Sequence, residues 1–213
     1  MKRLTLISVF MLLVFGLNHL QAQEIKQLPD PQKRGGKRLM KALNQRQSSR
    51  TFADKEMDDQ MLSNLLWAAF GINRPESGNR TAPSAHNVQD IEIFVTTADG
   101  AYLYLPEQHA LKRITEKDVR ADMGSQDFVE NASVNLVYVS DFSKYSDGSE
   151  QQHMVTASAH SGFIGQNVYL FCASEGLNSV FRGAINKDLI AETLNLEENL
   201  HIIYSQSVGF SKK

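Results

Sequence analysis

The chain has almost no cysteine: Cys172 is the single one in 213 residues. One thiol cannot staple a fold with an internal disulfide. Its neighbours Leu170, Phe171 and Ala173 are apolar, so a buried thiol is expected rather than a nucleophile. Cys/His spacing of the kind that holds zinc is missing too; His86, His109, His153, His160 and His201 are scattered. No Gly-x-Gly-x-x-Gly or P-loop run occurs, and no internal repeat or low-complexity segment. Charge of one sign is also missing. The formal net charge is −2, which gives no support for nucleic acid or an anionic membrane as partner. Any anion site must be local.

The first residues have the layout of a secretory signal peptide. Lys2 and Arg3 are followed by an apolar run from Leu4 to Leu17, broken only by Thr5, Ser8 and Gly16, and then by Leu20-Gln21-Ala22. The run is short of the roughly 20 residues a membrane span needs, and no cysteine follows it to carry a lipid. Residues 1–22 are therefore read as a cleaved signal, residues 23–213 as one domain, and the protein as exported, to the periplasm. Without the two basic residues of the signal, 20 basic residues face 24 acidic ones, a balance of −4.

Along the mature chain, residues 23–36 read as an extended arm. Leu39, Met40 and Leu43 share a helix face over residues 37–45. Residues 58–70 form a second helix, capped by Asp58 or Asp59 and ended by Gly71, with Trp67 and Phe70 in core or subunit-interface packing. A polar, turn-rich stretch (73–82) leads to a strand at Ile91–Thr96, an Asp99-Gly100 hairpin turn and a returning strand to Leu105. Residues 111–128 look mixed, with short helices. Val134–Val139 reads as a central strand, 151–175 as the longest helix, Val180–Arg182 as a short strand, 189–194 as a small helix and 201–210 as the last strand. Ala157, Ser158, Ala159, Ser161, Gly162 and Gly165 crowd the long helix. Glycine inside a helix costs about 1 kcal/mol relative to alanine, so this run implies close approach of another backbone, such as the same helix of a second copy. Hairpin strands mixed with long helices indicate an α+β fold.

The most informative segment is Arg46-Gln47-Ser48-Ser49-Arg50-Thr51-Phe52. It sets two guanidiniums and two hydroxyls together, a donor set suited to phosphate oxygens. It sits at a helix C-terminus, whose dipole repels anions, so the arginines must outweigh that field. Three further segments stand out: Arg80-Thr81-Ala82-Pro83-Ser84-Ala85-His86-Asn87-Val88-Gln89, Gly124 to Ala132, and Gly165 to Leu170 followed by Glu175 to Gly183.

In this order and at about this spacing the four segments resemble the nitroreductase family of FMN-dependent oxidoreductases. The resemblance implies an α+β nitroreductase-like fold with a central, mainly antiparallel sheet flanked by helices, in an intertwined homodimer with FMN at the subunit interface. It implies that Arg46, Ser48 and Arg50, with Gln47 alongside, contact the FMN phosphate, ribityl chain or pyrimidine edge. Pro83, Ser84, Ala85 and Asn87 would lie against the flavin bound mainly by the other subunit. Gln126 would meet the pyrimidine, and Val180, Phe181, Arg182 and Gly183 would cross the flavin face, where an N–H reaches N5. Arg182 is open to three roles: favouring reduced flavin, binding an acidic substrate, or pairing with Glu175. Lys212 and Lys213, after Val208-Gly209-Phe210, stand where relatives carry a basic pair toward the phosphate. The family's Pro-Trp after the second motif is Asp90-Ile91 here, closer to the peptide-azoline dehydrogenase-like branch; the Lys and Tyr pair of that branch is not located. The implied activity is transfer of a hydride or two electrons through flavin N5 to or from a small organic substrate, with no side chain acting as general acid or base. The alternative is a non-catalytic FMN-binding protein on the same dimeric scaffold. Export sets NAD(P)H, the usual donor, in question.

Overall fold

The computed structural model describes residues 24–212; the signal segment read at 1–22, and Lys213, lie outside them. Among the described residues nine strands are formed: β1 (Ile25–Gln27), β2 (Ile72–Arg74), β3 (Asn79–Arg80), β4 (Ile91–Thr97), β5 (Gly100–Leu105), β6 (Ala110–Thr115), β7 (Val134–Asp141), β8 (Leu177–Arg182) and β9 (Leu200–Phe210). Four α-helices accompany them: α1 (Leu39–Gln45), α2 (Asp59–Phe70), α3 (Glu150–Glu175) and α4 (Lys187–Leu194). Seven strands make one sheet in the order β1-β6-β5-β4-β7-β9-β8. Every neighbouring pair in it is antiparallel; β2 and β3 form a separate hairpin.

Period-two alternation builds the core on both faces of this sheet. Leu136 and Tyr138 of β7 join Ile93 and Val95 of β4 under α2 and α3, with Leu62, Leu65, Ile164 and Val168. Val137 and Val139 turn the other way and pack with Phe94, Ile190, Leu194 and Ile202 under α4. Asp58 caps α2 by accepting from the Met61 N–H, and Ser149 with Gln152 forms a capping box at the start of α3.

The sequence reading missed β1, β6 and the β2–β3 hairpin. Residues 110–115 carry only two buried side chains, Ala110 and Leu111, too few for an alternating pattern. The strand exists because β5 and β1 pair with it on its two sides. β1, β2 and β3 have two or three residues each, shorter than any periodicity can mark.

Gly165 has a local cause. A Cβ there would stand 2.5 Å from the Phe181 ring, so α3 lies directly on β8 of its own chain. Gly162 differs: nothing would lie within 4 Å of its Cβ, and Val155 and Phe163 on the same helix are exposed. Gly165→Ala would gain up to about 1 kcal/mol of helix propensity but force the packed ring aside, at about 1–3 kcal/mol. The overpacking wins. Thermal melts of the variant are expected to show destabilisation of up to about 2 kcal/mol; a melt raised above wild type would contradict this packing.

Candidate functional site

The Arg46–Phe52 segment leaves the end of α1 and runs along the open edge of β8. Ser49 N–H donates to Ser179 O (2.9 Å), Ala53 N–H to Phe210 O (2.8 Å), and Asn178 Nδ2 to Thr51 O (2.6 Å). Tyr169 of α3, which no sequence motif marks, ties the segment to the strand. Its hydroxyl accepts the Phe181 N–H (2.8 Å) and bonds Ser48 Oγ (2.7 Å). The Arg46 guanidinium lies 5.2 Å from the Tyr169 ring centroid. Gln47, Ser48 and Arg50 are exposed. Among the described residues neither Arg46 nor Arg50 has a carboxylate within salt-bridge distance. Gln47 and Tyr169 also line a recess of about 430 Å³ with Lys37 and Asn178. Two uncompensated cations beside hydroxyls are chemically fit to hold a phosphate.

The third segment meets the first through Phe52. Phe52 packs with Ala132, Val180 and Phe128, and the Phe52 and Phe128 centroids are 6.1 Å apart. Gln126 sits beside this cluster with its Oε1 buried and, among the described residues, without a hydrogen-bond donor. It lines a recess of about 250 Å³ with Gly124, Ser125 and Glu130. Gly124 is required by Arg182, whose Nη1 would stand 1.9 Å from a Cβ there.

Arg182 is used inside the chain. It is 5% exposed. Nη1 donates to Met123 O (3.0 Å) and Nη2 to Ser205 Oγ (2.8 Å), while Nε has no acceptor. Glu175 does not pair with it; that carboxylate accepts from Ser174 Oγ. Burial pushes the Arg182 pKa down to about 10, so it stays a cation at neutral pH.

The second segment lies elsewhere on α3. Ala85 N–H donates to His160 Nε2 (2.8 Å), and His160 Nδ1 bonds Asp90 Oδ1 (2.5 Å). Asp90 Oδ2 accepts from Ser140 Oγ (2.6 Å) and Tyr145 Oη (2.9 Å). Asp90, which marks a departure from the family motif, is thus wholly buried and holds the loop beside it. His86, Asn87 and Gln89 have φ of 50°, 56° and 48°, a left-handed conformation that costs about 1–2 kcal/mol per non-glycine residue. The adjacent Lys144 and Tyr145 both reach this region, Lys144 Nζ donating to Gln89 O (3.3 Å) and Tyr145 Oη to Asp90. His160 and Tyr169 are nine positions apart on α3, roughly 13 Å at 1.5 Å per residue. The first, third and fourth segments therefore meet within one chain, and the Pro83–Asn87 loop stands apart. Lys212 is exposed at the end of the described residues.

Burial alone would raise the Asp90 carboxyl, but hydrogen bonds from His160, Ser140 and Tyr145 outweigh it and hold it below its ordinary value. A depressed folded-state pKa contributes stability that is complete above the ordinary carboxylate range, near 4, and is lost as pH falls through the folded value. Denaturant midpoints measured from pH 6 downward should therefore fall more steeply in wild type than in Asp90→Asn. Parallel curves would contradict the assignment.

A Ser–His–Tyr cluster on the other side of the fold is structural. Ser63 Oγ is fully buried and donates to Pro29 O (2.6 Å), so its contact with His109 Nε2 (2.8 Å) uses the histidine as donor. Tyr104 Oη then donates to His109 Nδ1 (2.9 Å). Protons point the wrong way for a nucleophile and its base. Cys172 is buried, and burial pushes its pKa up to about 12, which leaves it inert. Among the described residues no cluster of His, Cys, Asp or Glu could hold a metal.

A seven-stranded antiparallel sheet flanked by helices defines an α+β protein, and two arginines without a carboxylate partner among the described residues stand at its β8 edge. Known proteins specify the class further. The family model described as Nitroreductase family matches residues 43–210, and the chain belongs to that family of flavin-dependent oxidoreductases. A curated protein of Methanocaldococcus jannaschii described as a nitroreductase is 32% identical over 187 residues, 81% of this chain and 90% of that protein. A crystal structure described as a nitroreductase from Ralstonia eutropha JMP134 is 35% identical with a TM-score of 0.85, covering 90% of this chain and 91% of that one. The NADPH:FMN oxidoreductase of Vibrio harveyi, solved with NAD+, shares the fold at 19% identity and a TM-score of 0.63, covering 82% and 69% of the two chains.

Proposed function

We propose that this chain is an FMN-dependent oxidoreductase that moves a hydride or two electrons to or from a small organic substrate, such as a nitroaromatic or a quinone. The observation that carries the reading is the pair of uncompensated guanidiniums, Arg46 and Arg50, set beside Ser48 on the edge of β8. The buried, unpartnered Gln126 Oε1 is a second fit, since it is an acceptor suited to the N–H of a flavin pyrimidine.

In this reading Arg46, Ser48 and Arg50 hold the phosphate end and Gln126 orients the ring. FMN, when bound, supplies the two-electron chemistry at N5. Phe181 N–H already serves Tyr169. Strand alternation makes Gly183 the next edge-facing N–H for the ring. Buried Arg182 supplies positive charge from behind the strand. Pro83, Ser84, Ala85 and Asn87 serve the site of a partner copy, which their distance along α3 favours. Exposed Leu39, Met40 and Leu43 on α1 and exposed Val155 and Phe163 on α3 are the side chains a homodimer contact would cover.

Export through residues 1–22 is part of the proposal and separates the protein from cytoplasmic nicotinamides. Anaerobic mixing of the FMN-loaded protein with NADH and with NADPH tests this. Slow bleaching of the flavin by both, against fast bleaching by dithionite, is expected. Rapid reduction with tight binding of either nicotinamide would count against it.

A further inference from the structure

We propose that Asp90 and His160 are positioning residues that fix the Ser84–Gln89 loop in its working shape through the Ala85 amide. The proposal rests on the reading of that loop as flavin-facing.

The bonds fix one tautomer. Asp90 is an acceptor at Oδ1, so His160 carries its proton on Nδ1. Nε2 is then a lone pair and accepts the Ala85 N–H. The anchor of this relay is rigid. Asp90 directly precedes β4, its backbone oxygen accepts from Asp141 N–H (2.9 Å), and its other carboxylate oxygen is held by Ser140 and Tyr145. A hydrogen-bonded path thus runs from the sheet centre through α3 to one amide of an exposed loop.

The loop needs such an anchor. His86, Asn87 and Gln89 all hold positive φ, a state that persists only where the surroundings over-determine it. Internal bonds help: Ser84 Oγ accepts the Gln89 N–H (3.0 Å) and Ser84 O the Asn87 N–H (3.1 Å). Arg80 Nε and Lys144 Nζ hold Gln89 from outside. Of these bonds, only that of Ala85 ties the first half of the loop to the protein body. A buried Asp–His pair is also a poor device for stability alone, because apolar residues of like volume fill such a place at least as well. Its return lies in orientation: Pro83, Ala85, His86 and Asn87 are all exposed, and the pair holds the Ala85 amide among them.

Two substitutions separate orientation from bulk. In His160→Asn the side-chain amide can overlay Nδ1 and keep the Asp90 bond, but it is too short to reach Ala85. In His160→Gln the side-chain oxygen reaches the Nε2 position and can accept the Ala85 N–H. Amide hydrogen exchange of residues 84–89 in the FMN-free protein, FMN affinity by fluorescence titration, and melting temperature are measured for each. His160→Asn is expected to speed loop exchange and weaken FMN about tenfold, with His160→Gln recovering most of both at a similar melting temperature. Wild-type exchange in His160→Asn would overturn the proposal, as would equal losses in both variants that track their melting temperatures. If the wild type binds no FMN, the cofactor reading fails by itself, and the exchange difference between Asn and Gln still decides whether the pair positions the loop.

Discussion

Replacing Arg46 and Arg50 together by Ala is expected to weaken FMN binding by about 10²–10⁴-fold. A hydrogen bond to a charged group contributes about 1.5–3 kcal/mol, and two of them span that range at 1.4 kcal/mol per tenfold. Neither arginine has a carboxylate partner among the described residues, so their removal strands no buried acid. Arg46 gives up its place over the Tyr169 ring, worth about 0.5–1 kcal/mol at an exposed site. Stability should therefore move little while affinity collapses. The lysine pair should recover only part of the loss, since the planar fork is missing. Fluorescence titration beside thermal melts checks the split; affinity unchanged in the Ala pair would refute the phosphate assignment.

Asp90→Ala is expected to be the most destabilising single change near the site. It removes the acceptor of three donors at once, on His160, Ser140 and Tyr145, in a place with no access to water. A buried donor left without its acceptor costs about 1–3 kcal/mol, and three coupled donors, whose losses do not simply add, come to about 3–5 kcal/mol. For a domain of this size, melting falls by about 2–4 °C per kcal/mol, so a drop of roughly 6–20 °C is expected by calorimetry. A change within 2 °C would mean that the carboxylate is not the structural anchor described above.

The elements with a strong local signal were legible in the sequence. α2 showed its stripe and an aspartate cap at Asp58 or Asp59, β7 its β-rich run, and α3 its length and its stop at Gly176. Strands made by pairing alone were not legible: β6 has only two buried side chains and β1 only three residues. The small-residue run of α3 was explained in part. Gly165 yields to Phe181 of the same chain, whereas nothing among the described residues crowds Gly162.

The arginine cluster was legible as an anion site, because two guanidiniums with hydroxyls are informative wherever they fold. What surrounds it was not. Tyr169 gave no signal, because a tyrosine inside a long helix rich in small and apolar residues reads as packing. Its grip on Ser48 and on the Phe181 N–H exists only once α3 crosses β8. His160 lay among small residues with nothing to pair it with Asp90, seventy positions earlier. Arg182 stood in the right strand, but alternation alone could not say that its guanidinium would be consumed by Met123, Ser205 and Asn135.

The most direct test of the account is the flavin content of the purified chain. Incubated with FMN and freed of excess by gel filtration, the protein should keep flavin absorbance at one FMN per chain and elute as a dimer. A protein that stays colourless under the same treatment would contradict the central claim, that the Arg46–Arg50 edge of β8 is built to hold FMN.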